Sequence, residues 1–312
     1  MKSTFIPITL KLLICLIVLS CSDDEAGQII DNTPTTFEII ANSSEHNTLE
    51  ELLINSELRD VIDTGVFTVF APTDEAFANV DLSSLTDEQI NQILLNHVLT
   101  GKAESSDFGN GYERTNASEI FTGNTNSLNI YINVDGGITL NGTSSVINPD
   151  NDASNGVVHF VDAVIPIPSI STFVTADTRF STLATALTRE DQPDFVGTLS
   201  SFNDPAPFTV FAPTNDAFTD LLAELEIESL ADIGATLLTS TLNTHVIAGS
   251  MVREEDLTTA TFGTLGDDID INAETAVITD MNNRDINIII TNVQAGNGVI
   301  HVVDKVILPT LE

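Results

Sequence analysis

The sequence predicts an α+β protein made of two copies of one module, and three observations carry that expectation. The blocks FTVFAPTDEAF at 67–77 and FTVFAPTNDAF at 208–218 agree at nine of eleven positions, 141 residues apart. The blocks NGVVHFVDAVI at 155–165 and NGVIHVVDKVI at 297–307 agree at eight of eleven, 142 apart. In each copy, helical periodicity precedes strand-forming runs, the order expected of an α+β fold. A looser pair, NHVLTG at 96–101 and THVIAG at 244–249, keeps the same order. A period this long is a whole domain, not a solenoid unit of about 20–50 residues. The length of 312 residues fits two domains at roughly 150 residues each.

Residues 1–20 read as an address rather than as part of the fold. Lys2 and Lys11 supply positive charge, and Leu12 to Leu19 form an apolar run that is too short to span a bilayer but suits a secretory signal. The run ends Val18-Leu19-Ser20-Cys21, which resembles the lipobox of bacterial lipoproteins, with Leu19 where Ala or Ser is usual. That resemblance implies cleavage before Cys21, which then carries the lipid. The following Ser22-Asp23-Asp24-Glu25 resembles the export signal of surface-exposed Bacteroidetes lipoproteins. The plainer alternative is an ordinary signal peptidase cutting after Ser22. Lipidation implies an outer-membrane lipoprotein, exposed on the cell surface and touching the membrane only through its anchor. Residues 21–34 read as a polar tether.

The first module is expected over 35–168 and the second over 169–312, with Pro166-Ile167-Pro168 as a stiff junction. In each module Thr-Val-Phe-Ala (68–71 and 209–212) reads as a short buried strand closed by Pro72 or Pro213. Thr73 and Thr214 are placed to cap the next helix, their hydroxyls accepting free backbone N–H groups. Phe218, Leu221, Leu222 and Leu225 then follow at helical spacing. Leu49, Leu52 and Leu53 mark a helix before the first strand. Leu128–Ile132 and Ile286–Ile290 carry strand-forming side chains. Asn155-Gly156 and Asn297-Gly298 predict tight hairpin turns through positive φ. The runs after them are apolar on both parities, as in strands covered on both faces.

The charge balance excludes some functions. Forty-six acids against 10 bases give a net charge of −36, which repels phosphate backbones and argues against nucleic acid as a partner. Removal of residues 1–20 leaves 8 bases and a net charge of −38. So acidic a surface suits solubility at high salt. Of the two cysteines, only Cys21 would remain in the mature chain, so no internal disulfide is expected.

No catalytic constellation is legible. The chain lacks G-x-S-x-G and both glycine-rich phosphate cradles. Of the five histidines, His97 and His245 extend inward-facing helical stripes, and His159 and His301 sit in valine-rich strands. Each reads as a hydrogen-bonded core imidazole. No H-x-x-x-H pattern offers a zinc site. The oxygen-rich stretches 150–155 and 266–270 lack the closing Glu of a calcium loop. No cofactor and no metal site is expected.

FTVFAPTDEAF with NGVVHFVD downstream, present twice, resembles the fasciclin domain, and the resemblance covers about residues 35–312. It implies two compact wedges of β-strands with packed helices, and a non-catalytic extracellular adhesion module. The implied partners are an extracellular glycan, a matrix component or a cell-surface protein. Animal adhesion members carry an aromatic–His pair tied to integrin recognition. The matching positions here are Asn96-His97 and Thr244-His245, so they are candidate partner contacts for something other than integrin. The alternative function is a structural or accessory subunit of an envelope polysaccharide-handling complex.

Overall fold

The computed structural model describes residues 32–311 apart from positions 57 and 124. Cys21 and Ser22, Asp23, Asp24 and Glu25 lie outside the described residues. Thr33–Glu312 form one compact unit.

The first domain begins with α1 (Thr36–Ala41), α2 (Asn47–Asn55) and α3 (Arg59–Thr64). Thr35 and Glu38 close a reciprocal cap at the start of α1, which satisfies two backbone donors that a helix end otherwise leaves open. Strand β1 (Phe67–Pro72) leads into the short α4 (Asp74–Phe77), capped by Thr73. Next come α5 (Asp87–Asn96) and β2 (Val98–Thr100). The strands β3 (Gly111–Ser118), β4 (Ser127–Asn133), β5 (Thr139–Leu140), β6 (Ser144–Ala153) and β7 (Gly156–Val161) complete the domain.

These seven strands close into a barrel, with β1 antiparallel to β2 and parallel to β7. Alternate side chains of β1 serve two cores. Phe70 packs inside the barrel with Leu99, Ile130, Ile132 and Leu140. Val69 and Ala71 pack outward against Phe37, Leu49, Leu53 and Leu94 of the helical layer. That two-sided burial is why β1 and β7 are apolar on both parities.

The second domain repeats the plan with α6 (Ile170–Ala176), α7 (Ser181–Leu187) and α8 (Phe195–Ser200), then β8 (Phe208–Pro213) and α9 (Asn215–Glu224). It continues through α10 (Ala235–Thr244), β9 (Val246–Ala248), β10 (Ala260–Phe262) and β11 (Ile269–Asn272). It ends with β12 (Val277–Thr279), β13 (Asp285–Ala295) and β14 (Gly298–Val303). Phe211 takes the place of Phe70, packed with Ile247, Ile269, Ile271 and Ile286.

The copies differ in closure. In the first, Leu99 pairs with Thr115 to join β2 to β3. In the second the strands run β10-β11-β12-β13-β14-β8-β9 as an open sheet. The loop after β10 covers the gap, with the Leu265 N–H donating to the Val246 carbonyl at 2.8 Å.

The Asn-Gly turns do make hairpins, but not through positive φ at the asparagine, since neither Asn155 nor Asn297 lies in that region. Each asparagine side chain instead ties three segments together. Asn297 Oδ1 accepts the N–H of Ile170, and its Nδ2 donates to the carbonyls of Leu199 and Ser201. Asn155 does the same with Thr36, Ile62 and Gly65. The glycine is required by space: a Cβ on Gly156 would lie 2.0 Å from the Phe67 carbonyl oxygen, and one on Gly298 2.4 Å from that of Phe208.

Candidate functional site

His97 and His245 each end a helix, α5 and α10 respectively, as its C-cap residue. Nδ1 of His97 lies 2.7 Å from the Ile93 carbonyl one turn back, and Nε2 accepts the Ile165 N–H at 2.8 Å. His245 repeats this with the Thr241 carbonyl at 2.7 Å and the Ile307 N–H at 2.9 Å. Each ring therefore bridges a helix end to the chain leaving the last strand of its domain. The geometry selects the neutral Nδ1–H tautomer, and burial holds both imidazoles down to about 4. With both nitrogens used, neither ring is free to act as a base or as a metal ligand.

Asn96 and Thr244 are fully buried beside them. Asn96 Nδ2 donates to the Pro166 carbonyl at 3.0 Å, and its Oδ1 accepts from Thr115. Thr244 Oγ1 donates to the Ser240 carbonyl and accepts the Asp267 N–H. All four side chains marked by the sequence as candidate partner contacts thus point inward and bond to their own domain or to the junction.

The strand histidines are also buried. His159 Nε2 lies 3.0 Å from the Ala103 carbonyl, and its Nδ1 accepts the Asp150 N–H at 3.1 Å. His301 keeps the first contact, 2.9 Å to the Val252 carbonyl, but its Nδ1 has no partner among the described residues. Burial lowers the pKa of both. Among the described residues, no three His, Cys, Asp or Glu side chains converge as a metal cluster. Asp150, in one of the oxygen-rich stretches, accepts from the N–H and hydroxyl of Ser105.

The surface feature specific to the tandem arrangement is the junction. Tyr112 Oη donates to Asp177, and its ring meets Phe173 edge-on at 5.2 Å. Tyr131 joins the hydrophobic core of the second domain. The buried Asn129 Oδ1 accepts the Gln294 N–H at 2.7 Å. The proline stretch is clamped rather than free: Asn96 holds the Pro166 carbonyl, and the Gly296 N–H donates to that of Pro168 at 2.7 Å.

None of Tyr112, Asn129, Tyr131 or Gln294 stood out in the sequence. The one available signal was that the chain's two tyrosines both fall in the first copy. Two clefts flank this junction. One, of about 460 Å³, is walled by Leu85, Ile93 and Ile120 on one side and by Ile167 and Phe202 on the other. The other, of about 620 Å³, is polar and lies over β2, β3 and β4.

Comparison with known proteins matches this architecture. A family model described as the fasciclin domain matches residues 44–168 and 178–309. Human periostin is 30% identical over 273 residues, covering 81% of this chain and 30% of periostin. The pig transforming growth factor-beta-induced protein ig-h3 is 28% identical over 263 residues, covering 78% of this chain and 35% of its own length. The chain thus spans about a third of the length of these curated relatives. The FAS1 domain pair of the insect cell adhesion molecule fasciclin I shares the fold, with a TM-score of 0.52 over 85% of this chain and 96% of the pair, at 21% identity. With one family model matching 44–168 and again 178–309, the chain belongs to the fasciclin-domain family and carries two such domains in tandem.

Proposed function

We propose that this protein is a non-catalytic adhesion lipoprotein, held at the outer membrane by a lipid on Cys21 and displayed on the cell surface through Ser22-Asp23-Asp24-Glu25. The observation that supports it best is the pair of fasciclin domains locked through Tyr112–Asp177 and Asn129–Gln294. Two module surfaces are then offered as one stiff body, which suits avid contact with a repetitive partner. The insect FAS1 pair of like fold comes from a cell adhesion molecule, which supports the same class of role. The partners in this reading are an extracellular glycan, a matrix component or a cell-surface protein, and binding alone does the work.

No helix among the described residues is long and apolar enough to cross a membrane, so attachment rests on the lipid in this reading. Acyl chains contribute about 0.8 kcal/mol per buried CH₂. The test is surface labelling of intact cells together with an attachment assay. Wild type should be labelled and should attach. Cys21→Ala should be lost from the membrane fraction, and neutralising Asp23, Asp24 and Glu25 should leave the protein membrane-bound but unlabelled. A wild type that never supports attachment, or a Cys21→Ala protein still in the membrane, would overturn the reading.

A further inference from the structure

Cations are scarce in a chain with 46 acids and 10 bases, and those among the described residues are almost all occupied. Lys102, Arg179, Arg189, Arg253 and Arg284 each hold a carboxylate. Lys305 donates to the carbonyl of Asp285, and Arg59 lies 5.0 Å over the ring of Phe37. Arg114 is the exception: among the described residues its guanidinium has no hydrogen bond, ion pair or ring partner. Arg59 and Arg114 are the two arginines among the described residues that hold no carboxylate, and Arg59 is covered by its ring contact, which leaves Arg114 open.

Arg114 is exposed and lines the polar cleft of about 620 Å³ at the junction. Its register partner on β4 is Asn129, whose amide is held by the Glu113 carbonyl and the Gln294 N–H. The floor of the cleft is therefore fixed by the domain junction. Beside it, Thr100 Oγ1 donates to Asn116 Oδ1 at 2.9 Å. That leaves the amide hydrogens of Asn116 without an acceptor among the described residues. Ser127 adds a hydroxyl to the same lining.

The geometry points to this cleft as a subsite for a sugar that bears a single oxyanion. A uronate-type carboxylate would sit in the fork of Arg114, with ring hydroxyls on Asn116, Thr100 and Ser127. The inference rests on the proposed glycan-binding role and names the class of glycan. A planar guanidinium matches a carboxylate with two parallel hydrogen bonds, which an ammonium does not. The volume lies within the about 300–1,000 Å³ of small-ligand sites. Asp107 and Glu113 also line the cleft, and with the net charge of −36 they disfavour a densely charged polyanion. The ligand is therefore an otherwise neutral oligosaccharide with one charged residue.

The test is calorimetric titration of the full chain with a glucuronate-ended disaccharide, its methyl ester and the corresponding sulfated disaccharide. Arg114→Gln, Arg114→Lys and, as a distant control, Arg59→Gln are compared with wild type. The acid should bind wild type and Arg59→Gln alike, at least tenfold more tightly than the ester. Arg114→Gln should erase that difference, and Arg114→Lys should restore only part of it. Sulfate binding as tight as the acid's would identify a general oxyanion pocket, and weaker binding a carboxylate-selective one; either supports the proposal. Equal binding of acid and ester, or undiminished binding by a folded Arg114→Gln, would overturn it. If cells bearing Arg114→Gln still attach while that titration fails, only this inference falls; if wild-type cells do not attach, the adhesion role falls.

Discussion

The hydroxyl of Tyr112, in the first domain, donates a 2.9 Å hydrogen bond to the carboxylate of Asp177 in the second. Asp177 is buried and also accepts from the backbone N–H and guanidinium of Arg179. A buried carboxylate is tolerated only where donors surround it, and one of those donors here comes from the other domain. Burial, followed by the Asp177 charge, pushes the Tyr112 phenol well above its ordinary range, so it stays a donor at all physiological pH. Tyr112→Phe keeps the ring against Phe173 and removes only the hydroxyl. The expected cost is about 1–3 kcal/mol, as for a hydrogen bond to a charged group. Scanning calorimetry should show a lower melting temperature, and Tyr112→Ala should go further and separate the two domains into distinct transitions. A Tyr112→Phe protein that melts as wild type does would show that the bond carries no stability.

Stability should fall as pH drops from about 6.5 toward 4. His97 and His245 bind protons at about 4 in the fold, against about 6.5 for a free imidazole, because burial penalises the charged ring. The unfolded chain therefore takes up protons first. The stabilisation is fully present above 6.5 and is lost as pH descends toward 4, on the order of 3 kcal/mol per histidine. Urea midpoints at pH 7, 6 and 5 should decline, and a His97→Gln, His245→Gln protein should show a shallower decline. Identical slopes would refute the assignment. The acids Asp74 and Glu255, held near 2 by their hydrogen bonds, act mainly at the acid end of this window and below it.

Asn297 should be among the most sensitive positions. Asn297→Ala strands the N–H of Ile170 and the carbonyls of Leu199 and Ser201 in a buried site. Unmet groups cost about 1–3 kcal/mol each, so about 3 kcal/mol or more is expected by urea unfolding. Asn297→Asp should cost more, because an acceptor then faces two carbonyls. A loss under about 0.5 kcal/mol would show that the turn does not need this side chain.

Added salt should raise the melting temperature. With a net charge of −36, the acids repel one another across the surface, and screening shortens that repulsion to about 8 Å at physiological ionic strength and about 3 Å at 1 M. A gain on the order of 1 kcal/mol between low salt and 0.5 M sodium chloride is expected. A flat or falling curve would mean that the acids are already compensated by local pairing.

Local chemistry made much of the domain readable. Thr73 and Thr214 cap their helices through the N–H groups of Ala76 and Ala217, as a Thr just after a Pro-ended strand should. Helical and strand periodicity place His97, His245, His159 and His301 inside, as they are. Less readable was the job of each group. Asn155 and Asn297 look like turn residues but act as three-way ties, a role that needs segments far away in the chain. Asn96 and Thr244 stand where the family resemblance implies a recognition residue, yet a side chain's direction depends on what packs over it, and here each is covered by its own fold.

The order of residues alone determined the duplication, through its repeated blocks, and the helix starts at Thr73 and Thr214 and the two-sided apolar strands, because these last rest on neighbours a few positions apart and on the short periods of helix and strand. Tertiary structure decided that the first sheet closes through Leu99 and Thr115 while the second stays open. It also decided that the proline junction is gripped by Asn96 and Gly296 and that the Arg114 guanidinium, with no partner among the described residues, lines a polar cleft. Those outcomes depend on single contacts between residues distant along the chain. Such contacts leave no periodic trace, and their energies are settled only when both partners are desolvated together.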